Sequence, residues 1–192
     1  MAREILTLFG HYVDLELLDK HHTHGLCQVV SQEDLWKHQQ TFIPTPELIP
    51  TYIKLSLQSN KKGQEIPFAI LEKKTHKVLG STKLQNIHDH SAEIGSTFID
   101  IRHQKSPVNS EAKLMLLQLA FETLNLSHID FTVHKNNYHS QKSLEALGIK
   151  RLSCFSHLRA MPEWKNNEYL SYGITLKEWQ KVKENLEVKL FR

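Results

Sequence analysis

The sequence predicts a mixed fold (α/β or α+β) in which a mostly antiparallel sheet is flanked by helices. Three observations predict it. Short segments alternate apolar and polar residues, as half-buried strands do, and longer segments carry an apolar residue every three or four positions, as amphipathic helices do. Strand-like segments also follow one another between residues 66 and 101, before one helix-like segment and a further strand. This strand–helix–strand crossover predicts that the two strands it joins are parallel.

The individual elements are predicted from the same patterns. Strands are expected at residues 12–18, 66–72, 78–87, 92–101, 128–133, 151–160 and 169–175. Helices are expected at residues 21–30, from a first turn at Pro46 to about residues 60–63, at 109–124, at 139–147 and from 176 onwards. Asn109 or Ser110 is expected to cap the helix at 109–124. Gly148 follows the helix at 139–147, in the position where glycine often ends a helix.

Composition narrows the function classes. A chain of 192 residues suits a single domain spanning residues 1–192. The net charge of +3 comes from 24 basic and 21 acidic residues, which is too small and too evenly spread to indicate nucleic-acid binding. No apolar stretch approaches the roughly 20 residues that span a bilayer, so no membrane association is expected. The two cysteines show neither a disulfide framework nor zinc spacing, which favours a cytoplasmic protein. A monomer or a homodimer is expected.

Thirteen histidines invite a metal interpretation. They cluster at His21, His22 and His24 and again at His88 and His90. Neither group stands in the HExxH or CxxC context that would make a metal site specific. We therefore expect solvated loop histidines and no metal site.

The crossover is the most informative segment for chemistry. A predicted strand ends near Ile101, a loop follows, and a helix begins near Asn109. Backbone N–H groups at such a helix start form an anion site. Because Arg102, His103 and Lys105 add positive charge close by, a phosphate group could bind here.

Several motifs then resemble one known family. Glu-Ile-Gly at 93–95 is followed by Val-Asn-Ser-Glu-Ala-Lys at 108–113 and by Ala-Phe-Glu-Thr-Leu at 120–124. A second block runs Asn-Tyr-His-Ser and then Ser-Leu-Glu-Ala-Leu-Gly within residues 137–148, and the tail at 169–190 also agrees. In this order and spacing, the motifs resemble the RimJ/RimL-like branch of the GNAT superfamily of N-acetyltransferases. The resemblance covers almost the whole chain and is most specific at residues 92–150.

The resemblance implies a fold and a cofactor, acetyl-coenzyme A (acetyl-CoA). In the GNAT fold the sheet splays open at its central parallel pair of strands, and acetyl-CoA lies in the gap. The pantetheine would pair with backbone groups of the first strand, the pyrophosphate would lie on the loop and helix start, and two side chains would face the pantetheine and thiol. The resemblance implies that the pantetheine pairs with the backbone of Phe98, Ile99 and Ile101. It implies that the pyrophosphate lies on Gln104, Lys105, Ser106, Val108, Asn109 and Ser110. The two side chains that would face the pantetheine and thiol are those of Asn137 and Ser140.

Pro107 departs from the family pattern, which has a glycine at the centre of this loop. Proline removes one N–H donor and fixes φ. We expect CoA binding to survive, with His103, Lys105 and Ser106 compensating. The alternative is that the loop has lost much of its affinity for CoA.

The reaction implied is direct attack of a primary amine, on a protein N-terminus or a small molecule, on the thioester. Many GNAT enzymes protonate the leaving thiolate with a tyrosine, but the matching position here is Leu144. Ser140 is therefore the candidate donor, although serine at a helix start also has a purely structural explanation. Glu93 is the first candidate for the base, acting through a water, and a structural ion pair is the alternative. His134 and His139 are weaker candidates.

Two rival functions stay open at this point. A non-catalytic protein that retains the GNAT fold would bind CoA or a protein partner without turnover, and Pro107 and Leu144 favour that alternative. A nucleic-acid-binding module is disfavoured by the small net charge and the lack of a binding motif.

Overall fold

The computed structural model describes residues 6–36, 43–156 and 168–191. Its strands are β1 (Thr7–Phe9), β2 (Val13–Leu17), β3 (Ile66–Glu72), β4 (Val78–His88), β5 (Ser91–Ile99), β6 (His128–His134), β7 (Lys150–Ser156) and β8 (Glu168–Thr175). Its helices are α1 (Thr23–Val30), α2 (Glu33–Trp36), α3 (Ile49–Lys61), α4 (Pro107–Gln118), α5 (Tyr138–Ala146) and α6 (Leu176–Phe191). Short 3-10 turns precede α1 and α3 and follow β5, and a π-helical segment, Leu119–Thr123, continues α4.

The described strands form one eight-stranded sheet in the order β1-β2-β3-β4-β5-β6-β8-β7. The pair β5–β6 is parallel, and the other neighbouring pairs are antiparallel. The prediction of a mostly antiparallel sheet with a parallel pair across the crossover is therefore confirmed.

Helices cover both faces of the sheet. Side chains of α4, α5 and α6 pack in one apolar cluster against one face. Side chains of α1 and α3 pack in a second cluster against the other face, where α1 lies over β4 and α3 over β3. The wide apolar face predicted for α4 is confirmed, since Ala112, Met115 and Leu116 are all buried.

Two element boundaries differ from the prediction near the crossover. β5 ends at Ile99 rather than at Ile101, because Ile101 begins a 3-10 turn that is capped by the Asp100 carboxylate. The helix begins at Pro107 rather than at Asn109, and the Ser106 hydroxyl caps it, so the predicted caps Asn109 and Ser110 were wrong. Proline suits the first helical position because the N–H that it lacks would have no partner inside the helix.

Other differences are small. The strand β1 and the short helix α2 were not predicted. The strand predicted at residues 151–160 is observed as β7, and positions 157–160 lie outside the described residues.

Within the described ranges, no helix is both long and apolar enough to cross a membrane.

Candidate functional site

The parallel strands β5 and β6 share a short ladder and then separate. Their pairing runs from Ser91 with His128 to Glu93 with Asp130, although β5 continues to Ile99 and β6 to His134. Beyond Glu93, no described strand pairs with the edge of β5 that faces β6. Backbone N–H and C=O groups along such an edge need partners. The gap between the strands can therefore accept an extended, amide-containing ligand, as the predicted splay required.

A β-bulge shapes the β5 side of this gap. Between the pairs Ser81–Phe98 and Lys83–Gly95, β5 has two residues where β4 has one. Ser96 has a φ of 51°, which is rare for a residue other than glycine. Its hydroxyl donates to Gln85 at 2.8 Å. Because of the extra residue, the alternation of side chains shifts along β5. Ile94, before the bulge, points to the α4 side of the sheet, whereas Phe98, after it, points to the α1–α3 side.

The residues implied for the pantetheine are only partly on this strand. Phe98 and Ile99 lie on β5 beyond the bulge, with buried side chains. Ile101 lies off the strand, and both of its backbone groups are occupied. Its N–H donates to Gln32 Oε1 at 3.0 Å, and its carbonyl accepts from Gln104 N at 3.2 Å. The edge of β5 before Asp100 is therefore better placed than Ile101 to form backbone hydrogen bonds with a ligand.

The start of α4 forms one end of the gap. The Ser106 hydroxyl donates to His103 O at 2.5 Å and lies 3.4 Å from Val108 N. The N–H groups of a helix's first turn have no acceptor inside the helix, and here Pro107 removes one of them. Among the other implied phosphate contacts, Gln104 and Lys105 are exposed and Asn109 is half-buried, whereas the side chains of Val108 and Ser110 are buried and offer only backbone.

The positive charge of the loop is smaller than the sequence indicates. Arg102 is held by the buried Asp100, with Arg102 Nε 3.0 Å from Asp100 Oδ1. Hydrogen bonds from Arg102 keep the pKa of the Asp100 carboxyl well below its usual range. His103 lies between two carboxylates, 3.8 Å from Asp100 and 3.9 Å from Glu72. Lys105 is the basic side chain of this loop that makes no ion pair within the described part of the chain.

The start of α5 forms the other end. Asn137 is its N-cap and accepts from Ser140 N at 3.1 Å. Both side chains are half-buried, and the Ser140 hydroxyl makes no hydrogen bond to a described residue. Leu144 is buried in the core, and no tyrosine replaces it, since Tyr138 is exposed at the first position of α5. Tyr172 is also buried, and its hydroxyl donates to Glu145 at 2.8 Å. Burial first, and then this hydrogen bond, raise the pKa of Tyr172 to about 12.

Glu93 lies at the last rung of the β5–β6 ladder. It is largely buried, and Asn86 Nδ2 donates to it at 2.8 Å. Its side chain points to the sheet face opposite α4, because its neighbours Ala92 and Ile94 pack in the α4-side cluster. Asp130 is its partner across the rung and shares that face.

Sequence reasoning missed Asp130 and His128. Asp130 accepts from His128 Nε2 at 2.9 Å, and both side chains are partly exposed. The alternation of β6 predicts that these side chains share a face, but only the register of the parallel pair places Asp130 beside Glu93. His134 shares the face too. Its Nδ1 accepts the Asn136 N–H, so a neutral His134 carries its proton on Nε2 and is not ready to accept one there.

The histidine clusters have mixed surroundings. His21, His24, His88 and His90 are exposed, as predicted, but the prediction of a solvated side chain was wrong for His22, which is 1% exposed. Glu16, His21 and His22 place three potential ligand atoms within 4.8 Å of one another. However, His22 Nδ1 accepts the Asp19 N–H at 3.0 Å, so the neutral ring holds its proton on Nε2. That nitrogen is therefore oriented as a donor toward Glu16 rather than as a metal ligand.

Comparison with known proteins identifies the family. The family model for the acetyltransferase (GNAT) domain matches residues 13–150. The match covers more than half of the chain, so the protein belongs to the GNAT acetyltransferase family. The family resemblance seen in the sequence is thereby confirmed.

Solved structures share the fold. A protein from T. thermophilus, provisionally described as an acetyltransferase, is 28% identical with a TM-score of 0.82, and the alignment covers 100% of both chains. A GCN5-related N-acetyltransferase from Brucella melitensis is 23% identical over 97% of this chain and 86% of its own, with a TM-score of 0.85. RimJ of Mycobacterium smegmatis, solved with CoA-disulfide, is 16% identical over 92% of this chain and 88% of its own, with a TM-score of 0.79. No curated protein sequence matches.

Proposed function

We propose that this protein is an N-acetyltransferase of the RimJ/RimL-like branch that transfers an acetyl group from acetyl-CoA to a primary amine. The amine nitrogen attacks the thioester carbonyl in a ternary complex. A new C–N bond forms, the C–S bond breaks, the amine loses one proton to a base, and the thiolate of CoA gains one.

The parting of β5 and β6 is the observation that carries this proposal. Among the described strands it leaves one edge of β5 without a partner beyond Glu93, and a helix start follows each of the two strands. An edge of this kind suits the amides of pantetheine, and the start of α4 suits a pyrophosphate. That RimJ was solved with CoA-disulfide is consistent with such a ligand.

The proton transfers are assigned to Glu93 and Ser140. Glu93 lies where the strands part, on the face opposite α4, and would accept the proton of the amine through a water. Ser140 lies in the first turn of α5 and would donate a hydrogen bond to the leaving thiolate. Its hydroxyl is not engaged by a described residue, which supports this role over a purely structural one.

The acceptor would approach from the face that carries Glu93, Asp130 and His128. No described helix packs on this face over β6 and β8, since α1 and α3 lie over β4 and β3. Two carboxylates on one rung favour a cationic acceptor, which suits a protein N-terminus or a small amine. The sequence at residues 162–168 carries Glu163 and Glu168, which could also help to attract a cationic acceptor, and positions 162–167 lie outside the described residues. A cytoplasmic location stays a prediction.

A non-catalytic role is the second candidate, and Pro107 favours it. The proline removes an N–H from the helix start where the pyrophosphate would bind. A hydrogen bond to a charged group contributes only about 1.5–3 kcal/mol, so we rank this candidate second.

Calorimetric titration with acetyl-CoA, followed by a thiol-release assay with a panel of amines, separates the two candidates. The enzyme binds acetyl-CoA and releases CoA in an amine-dependent reaction. A binder gives the titration signal without turnover. Absence of acetyl-CoA binding contradicts the proposal and directs attention to a protein partner.

Replacing Ser140 with alanine tests the assignment of the proton donor. We expect kcat to fall about tenfold to 100-fold, the worth of one hydrogen bond to a charged group, while the Kd for acetyl-CoA changes less than about twofold. Ser143→Ala, one turn further along α5, is the matched control. An unchanged kcat in Ser140→Ala removes its proposed role.

A further inference from the structure

A buried carboxylate joins α4 to the turn between β1 and β2. Glu111 is 2% exposed, and its carboxylate accepts three consecutive backbone N–H groups. Oε1 lies 2.7 Å from His11 N, and Oε2 lies 2.7 Å from Tyr12 N and 2.8 Å from Val13 N. No local sequence pattern indicates this role, because the turn lies about 100 residues before Glu111 in the chain.

The turn is shaped around this carboxylate. A Cβ at Gly10 would lie 2.4 Å from Val13 O and 2.8 Å from Glu111 Cδ, so a larger residue does not fit. The Gly10 N–H donates to Asp14, which in turn binds Lys73. Four successive N–H groups, those of residues 10–13, thus donate hydrogen bonds to the carboxylates of Asp14 and Glu111.

The same turn also contacts the end of α6. The Tyr12 hydroxyl donates to Leu190 O at 3.2 Å, and the rings of His11 and Phe191 lie 6.0 Å apart, edge to face. The start of α4 is therefore fixed from the side of the β1–β2 turn and α6. On the side of the loop, Lys105 and Pro107 are exposed and provide little packing.

Side chains on a helix point back toward its N-terminus, so the Glu111 charge lies near the first turn of α4. Two effects on a phosphate at that helix start then oppose each other. The carboxylate fixes where the free N–H groups point, which favours binding. Its negative charge repels the phosphate, which disfavours binding.

We propose that Glu111 is a positioning residue that sets the start of α4 for the pyrophosphate of the cofactor, and that this effect outweighs its repulsion. This inference rests on the proposed function. It predicts that the β1–β2 turn, which lies outside the implied cofactor contacts, contributes to recognition of the phosphate-bearing half of acetyl-CoA. The acetyl-bearing half is recognised independently of it.

Glu111→Gln and Glu111→Asp separate the two effects. Glutamine keeps the shape but places an amide NH2 against N–H donors and removes the charge. Aspartate keeps the charge but is one methylene too short to reach the turn. Positioning predicts that both variants bind acetyl-CoA about tenfold more weakly, which corresponds to one lost hydrogen bond to a charged group. Simple repulsion predicts tighter binding by Glu111→Gln and unchanged binding by Glu111→Asp, and that result overturns the proposal.

The probe that distinguishes positioning from general destabilisation is S-acetylpantetheine, which lacks the pyrophosphate and nucleotide. Its affinity should change less than about twofold in both variants. Glu122→Gln is the control. Glu122 lies in the π-helical segment that continues α4 at its C-terminal end, where its carboxylate accepts hydrogen bonds from Trp179 and Lys183. Equal weakening for acetyl-CoA and S-acetylpantetheine, or equal effects in Glu111→Gln and Glu122→Gln, contradicts the positioning role.

Hydrogen exchange on the unmodified protein provides a test that needs no variant. Acetyl-CoA should slow exchange of the amides of His11, Tyr12 and Val13, and S-acetylpantetheine should not. Equal exchange with and without acetyl-CoA overturns the inference even if the variants do not fold. Failure of the unmodified protein to bind acetyl-CoA at all is a different outcome, because it refutes the proposed function itself.

Discussion

The two sides of the gap between β5 and β6 are built differently. On the β5–α4 side, buried carboxylates are fully engaged: Glu111 by three N–H groups of the β1–β2 turn, and Asp100 by Arg102. On the β6–β8 side, Asp130 and His128 bond to each other and stay partly exposed. The carboxylates of the first side are held by interactions within the protein, and the second side leaves polar groups accessible to a ligand.

This difference matches the two tasks of an acetyltransferase. A cofactor that is the same in every turnover is best held by a preorganised surface, because little ordering remains to be done on binding. An acceptor is recognised by groups that remain accessible. The contrast predicts that substitutions of the engaged carboxylates Glu111 and Asp100 alter stability and cofactor affinity. Substitutions on the face that carries Glu93, Asp130 and His128 should instead alter the use of the amine.

The largest effect is expected from Glu93→Gln, compared with Asp130→Asn on the same rung. Loss of a general base lowers kcat by about 100-fold or more. Asp130→Asn should instead raise the KM for a cationic amine and change kcat less than about threefold, because an attraction of one surface charge is worth about 1 kcal/mol. Steady-state kinetics over a range of amine concentrations measures both. Equal losses of kcat in the two variants would remove the distinction between them.

Asp100→Asn should have the next largest effect, on stability. Losing charged hydrogen bonds to Arg102 should lower the free energy of unfolding by about 2 kcal/mol, which lowers Tm by roughly 4–8 °C in a chain of this size. Asp130→Asn, the same change on the other side of the gap, should move Tm by less than about 2 °C. Differential scanning calorimetry at neutral pH compares them, and equal shifts would contradict the contrast between the two sides.

The Asp100 contribution also has a defined pH dependence. The pKa of this carboxyl is lower in the folded protein than in the unfolded chain, so its stabilisation is present above the unfolded value of about 3.9 and is lost as the pH falls below it. The difference in unfolding free energy between the parent protein and Asp100→Asn should therefore shrink between about pH 7 and about pH 3. Urea unfolding at both pH values measures it. A constant difference would assign the effect to packing instead of charge.

The smallest effect is expected from Pro107→Gly, which restores an N–H at the helix start. Acetyl-CoA should bind about threefold to tenfold more tightly, which corresponds to the net contribution of about 0.5–1.5 kcal/mol that a typical hydrogen bond makes. The free energy of unfolding should fall by about 0.4–1 kcal/mol, because glycine has more freedom in the unfolded chain. Pro50→Gly, in the first turn of α3, is the matched control and should leave the affinity unchanged. Weaker binding by Pro107→Gly would indicate that proline supports the loop rather than limits it.

Sequence patterns predicted most of the fold because alternation and helical periodicity are local. β3 was predicted to the residue, and the ends of α5 and β8 to within about one residue. The end of β5 was not, because it depends on the Asp100 cap and on contacts with Gln32. The bulge at Ser96 was not either, since no local signal marks a non-glycine residue with positive φ.

The candidate site was predicted unevenly for the same reason. Motifs indicated the loop at Gln104 and the α5 start at Ser140, which are continuous in sequence. The contribution of Glu111 depends on a turn about 100 residues earlier in the chain, and that of Asp130 on the register of a parallel pair. Such partners become visible only when the strands and helices are in place.

Amide hydrogen exchange with and without acetyl-CoA tests the central claim most directly, because it reports where the ligand binds. The account predicts slower exchange in residues 94–101 on β5 and its turn, in residues 104–110 at the start of α4 and in residues 137–140 at the start of α5. Exchange in the outer strand β7 and in the middle of α3 should not change. Binding without protection of residues 94–101 would contradict the claim that acetyl-CoA occupies the gap between β5 and β6.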